Sequence, residues 1–133
     1  MKKIFAVFTF FLVFAVILKL PFNISTPIIY QHVNTRVFKT IALYINFSNT
    51  FWGISNIIGN TLPFFIWGTL MKLALNLCAL PCFFLSSFFI VLFEIAQFVL
   101  KKGTCDIDDV ILNSVSAFLG IVLVNFLEKR KLD

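Results

Sequence analysis

The chain has six acidic residues, and four of them, Glu94, Asp106, Asp108 and Asp109, fall close together in its second half. Carboxylates gathered this way can hold a divalent cation, share a proton, or accept hydrogen bonds from a donor-rich ligand. Amides accompany them at Asn56, Asn60, Gln97 and Asn113. Lys101 and Lys102 lie between Gln97 and Asp106 and offer positive charge to a phosphate or carboxylate. Asn56, Asn60, Pro63 and Trp67 are spaced four, three and four. Ser87, Glu94, Gln97 and Lys101 are spaced seven, three and four, and Asp109, Asn113, Ser116 and Gly120 four, three and four. Residues three, four and seven apart share one face of a helix. The spacing therefore predicts three helices, each with one polar stripe, the stripes facing one another rather than lipid.

Those helices sit in a very apolar chain. Of 133 residues, 60% are hydrophobic, 13% are charged and 19 are Phe. A soluble domain is nearer half apolar and a quarter charged, so the natural solvent is a bilayer. The length suits one unit, and no internal repeat or low-complexity linker divides it. Apolar runs place spans at about 4–20, 54–72, 82–100 and 110–127, which predicts an all-α integral membrane four-helix bundle. The first run follows Lys2 and Lys3 and resembles a signal peptide, the alternative reading. No small-x-small cleavage site follows it; it leads instead into Lys19, Leu20, Pro21 and Phe22. Residues 21–52 are too polar to span. Val37 to Phe47 reads as either an interfacial helix or a short strand, and Trp52 as an interfacial anchor. Asn76 and Pro81 fall in the link between the second and third spans.

The net charge is +5. Its basic clusters, Lys2 with Lys3 and Lys129 to Lys131, flank spans and set topology, so no nucleic-acid partner is expected. Cys78, Cys82 and Cys105 lack a metal-site spacing and read as reduced structural residues. His32 has no acid or nucleophile near it in sequence. Four spans return both termini to one side, the cytoplasm, in a multi-pass protein of the cell membrane. Residues 101–109 then face outward, and the three polar sets meet in the outer leaflet. Glu94 lies seven residues below Lys101, about 10 Å deeper. A carboxylate there costs at least about 2.5 kcal/mol and needs a partner or a proton. Purely structural readings stand beside these. The three aspartates cap the fourth span, the amides bridge helices, and Ser116 and Gly120 are close-packing positions.

At this point the chain resembles the VanZ-like family. The resemblance is carried by NIIGNTLPFFIWG at 56–68, EIAQ at 94–97 and DIDDVILN at 106–113, in the family's order, and it covers about residues 54–124. Three features depart from the usual pattern. Ile66 stands where the family has Pro, Lys102 and Gly103 replace a Gly-Arg pair, and Ser116 replaces a Gly. Lys cannot reproduce a bidentate Arg contact.

The resemblance implies a role at the cell envelope, since the family's namesake is associated with resistance to the glycopeptide teicoplanin. The expected partner is a membrane lipid or lipid-linked envelope precursor. Lys101 and Lys102 would meet its head group, and Asn56, Asn60, Glu94, Gln97, Asp106, Asp109 and Asn113 would form the polar site. No cofactor is expected. One alternative is an enzyme in which Glu94, Asp106 and Asp109 hold Mg²⁺ against a lipid-linked phosphate. No Ser-His or Cys-His nucleophile arrangement accompanies it. The other is a structural subunit, in a homo-oligomer or beside another membrane protein.

Overall fold

The long apolar runs form helices because each satisfies its own backbone hydrogen bonds, as lipid requires. The computed structural model describes residues 1–18, 33–46, 51–100 and 105–130. Among them are helices α1 (Lys2–Leu18), α2 (Lys39–Asn46), α3 (Phe51–Leu75), α4 (Ala79–Val99) and α5 (Ile107–Arg130). Strands β1 (Val33–Asn34) and β2 (Cys105–Asp106) pair in parallel, Val33 opposite Cys105 and Asn34 opposite Asp106.

Among the described residues three helices are long and apolar enough to cross a membrane: Ile57–Leu75 within α3, α4 and α5. Only 33%, 22% and 33% of their apolar windows are buried inside the protein, so the remainder requires lipid. At 17 residues α1 is shorter. The all-α expectation holds, but the architecture is not a plain four-helix bundle: α2 and the β1–β2 ribbon are added, and the described helices number five.

Local sequence sets the helix ends. Asn76 adopts φ 53°, a left-handed conformation that Asn tolerates, and its N–H donates to the Lys72 carbonyl at 3.0 Å, closing α3. Pro81 lies within the first turn of α4 rather than in the link. Its missing N–H is one of the donors a helix start leaves unpaired anyway.

The core sits around Trp67, which is 1% exposed. Its ring meets Phe64, Phe89 and Phe93 at centroid distances of 6.4, 6.1 and 5.9 Å. Its Nε1–H donates to Thr9 Oγ1 at 2.9 Å, tying α1 to α3. Trp67 therefore anchors the core at one end of its predicted polar stripe. The α3–α5 seam is built on small residues. A Cβ on Gly68 would press on the Ala117 backbone, and one on Gly120 on the Phe65 carbonyl and Thr69.

At the end of the seam away from the carboxylates, Lys72 is 4% exposed and pairs with Glu128 at 2.9 Å. Glu128→Ala strands that ammonium, whereas Lys72→Met removes the charge and keeps the volume. The expected costs are about 1–2 kcal/mol for the first, moderated by the partial exposure of Glu128, and under about 1 kcal/mol for the second. Unfolding of both variants in detergent checks this ordering.

Candidate functional site

The end of the bundle where α4 stops and α5 starts collects the polar residues. Glu94, on the last part of α4, is 6% exposed, and its Oε1 accepts the Asp106 N–H at 2.9 Å. Asp106 stands at the start of α5, and its Oδ1 accepts the Asp108 N–H at 2.9 Å, an N-terminal cap. Asp106 also accepts from two side chains of the segment 33–46. Asn34 Nδ2 reaches Oδ1 at 3.1 Å and Thr40 Oγ1 reaches Oδ2 at 2.5 Å. A third bond, from Asn34 Nδ2 to Thr40 Oγ1 at 3.1 Å, closes the triangle.

Asp108 is fully buried. Its Oδ1 accepts the Phe38 N–H at 2.6 Å, and its Oδ2 accepts those of Thr40 at 2.7 Å and Ile41 at 3.3 Å. These amides form the start of α2, where unpaired N–H groups and the helix dipole both favour an anion. The carboxylate is therefore spent on fastening 33–46 to the bundle.

Asp109 faces α3 instead, where Asn60 Nδ2 donates to its Oδ1 at 3.1 Å. One turn along α5, Asn113 is 6% exposed, and its Oδ1 has no hydrogen-bond partner among the described residues. A further turn on, Ser116 Oγ donates to the Thr61 carbonyl at 2.5 Å. Ser87 Oγ, two turns below Glu94, is likewise buried without a partner. The Cys105 thiol lies beside this group. Burial first, then the negative charges of Glu94 and Asp106, raise it above the ordinary thiol value. It stays protonated at neutral pH and is a poor nucleophile.

The geometry divides the expected site residues. Glu94 and Asp106 are directly joined, as are Asn60 and Asp109, and Asn113 follows Asp109 on the same face of α5. Gln97 is partly buried on α4 one turn beyond Glu94. Asn56 falls within α3, its side chain outside the described residues, as are Lys101 and Lys102. Ser116 binds a neighbouring helix and Gly120 lets it approach, as close-packing positions do. Among the described residues, no three of His, Cys, Asp and Glu are arranged to hold a metal ion. Both Asp106 oxygens are engaged by protein donors, which leaves the Mg²⁺ arrangement without a preformed frame.

Asn34, Thr40 and the central part played by Asp108 were missed by spacing, because their partners are distant in sequence. The alternation of Asp106 and Asp108 before a helix was the one available signal.

Three apolar helices around a buried carboxylate–amide cluster define an all-α membrane protein with a polar site at one end. The chain belongs to the VanZ/LLP1 family, whose model matches residues 5–128, nearly the whole length. Nothing matches among curated proteins, and no solved structure matches.

Proposed function

We propose that this protein binds an amphiphilic, lipid-linked envelope molecule at the Glu94–Asp109–Asn113 end, and through it contributes to glycopeptide resistance of the teicoplanin type. The observation that carries the reading is the Asn113 Oδ1, buried within a membrane-capable helix with no donor among the described residues. An acceptor left this way costs roughly 1–3 kcal/mol unless a ligand supplies the hydrogen bond. Hydroxyls of a sugar or N–H groups of a peptide supply donors of that kind. The surrounding carboxylates favour a donor-rich head group, and Lys101 or Lys102 would meet its phosphate.

In this reading α1 is a fourth span and both termini are cytoplasmic. The basic ends, Lys2 with Lys3 and Lys129 with Arg130, favour that side. The carboxylate cluster then opens to the extracytoplasmic leaflet. Reporter fusions after Lys19, Lys72, Cys105 and Asp133 test the arrangement.

Glu94→Gln and Asp109→Ala are each expected to abolish resistance in a host that depends on this protein, at unchanged protein level. Resistance surviving in both variants sinks the proposal.

A further inference from the structure

The membrane-capable helices α4 and α5 end at Val99 and begin at Ile107, so with both crossing a bilayer whatever is fastened to Asp106 and Asp108 lies at its surface. The fastened element is the segment 33–46. Its backbone is held on one side by Asp108, and α2 packs against α3 and α5. Its other side is apolar, and no described residue covers it. Phe38 is 63% and Ile45 61% exposed, and Val33 and Val37 are exposed as well. Ala42 and Ile45, three apart, share one edge of α2, and Phe38 immediately precedes the helix.

Phe38 also has φ 68°, a conformation strongly disfavoured for a bulky residue. Its N–H bond to Asp108 holds it there and turns the ring outward rather than into the core. Arg36 and Lys39 flank it, both exposed. An apolar edge bordered by basic residues, at the level where spans end, has the composition of an interfacial helix.

We propose that the segment 33–46 lies in the phospholipid head-group layer. Its exposed Phe38, with Ala42 and Ile45 of α2, dips to the acyl boundary, and Arg36 and Lys39 contact lipid phosphates. The inference depends only on α4 and α5 crossing the bilayer, and not on the ligand of the polar site.

The test places p-benzoylphenylalanine at position 38 of the full-length protein in nanodiscs of phosphatidylcholine and phosphatidylglycerol. A second variant carries it at position 45, on that edge of α2, should the first fail to fold. Irradiation is expected to yield phospholipid adducts by mass spectrometry, with the anionic lipid enriched. Arg36→Gln and Lys39→Gln should each lower that enrichment about fivefold, the effect of one basic residue at an anionic surface. Adducts confined to protein, or none at either position in protein that keeps its thermal transition, would overturn the proposal.

Discussion

Replacing Asp108 with Ala is expected to destabilise the protein by about 3–5 kcal/mol and to release the segment 33–46 from the bundle. The carboxylate is fully buried and accepts three backbone N–H groups, two of them at 2.6 and 2.7 Å. Hydrogen bonds to a charged group contribute roughly 1.5–3 kcal/mol each, and the sum is lessened because water reaches some of the freed amides. Asp108→Asn keeps one acceptor oxygen but turns an NH₂ toward backbone donors, so it should fall between wild type and Ala. Hydrogen exchange at Phe38, Thr40 and Ile41 reads the local effect, and the thermal transition in detergent reads the global one. The amides should exchange much faster in Asp108→Ala. Unchanged protection there would mean that Asp108 does not hold the segment.

Gly120→Val is expected to cost about 3 kcal/mol, at the upper end for overpacking. A Cβ at this position would meet Thr69 Oγ1 at 2.7 Å and the Thr69 backbone nitrogen at 3.0 Å, besides the Phe65 carbonyl. Backbone atoms cannot yield as a side-chain end can, so α3 and α5 must separate. That would also loosen the Asn60–Asp109 contact at the site end of the same seam. Gly59→Ala is the control: nothing lies within 4 Å of the added carbon, and removing a helix glycine there is neutral or slightly stabilising. Loss of the folded fraction in Gly120→Val but not Gly59→Ala, measured by unfolding in detergent, confirms the seam.

The three membrane-capable helices α3, α4 and α5 were legible because lipid demands long apolar runs, and such runs show in composition alone. Face assignments were legible for the same physical reason: Asn60, Asp109 and Asn113 recur at helical spacing, and a polar stripe in lipid has to turn inward. The segment 33–46 was legible only in part: Val37 to Phe47 reads as an interfacial helix or a short strand, and the structure makes Lys39–Asn46 a helix. Its mixed residues leave both patterns open, since its conformation is fixed by carboxylates 66 to 72 positions away. Asp108 escaped notice as a fastening residue because it binds backbone amides, which every residue but Pro offers. From spacing, Asp106 and Asp109 read as ligand-facing together, with capping by all three aspartates as the structural alternative. The acidic stretch divides instead by side: Asp106 and Asp108 face the segment 33–46, and Asp109 faces α3. Alternation along a turn before a helix hints at that division, but only the packing around it decides which carboxylate goes where.

The account rests on α3, α4 and α5 delivering their amides and carboxylates to one end of the protein. Two cysteine pairs measure this directly in the membrane: Asn60→Cys with Asp109→Cys, and Glu94→Cys with the native Cys105. A short bis-methanethiosulfonate linker, applied at alkaline pH because the Cys105 thiol is held protonated at neutrality, should join both pairs, with the products mapped by mass spectrometry. Failure of both pairs to join, while each single cysteine still reacts with a small thiol reagent, would contradict the account.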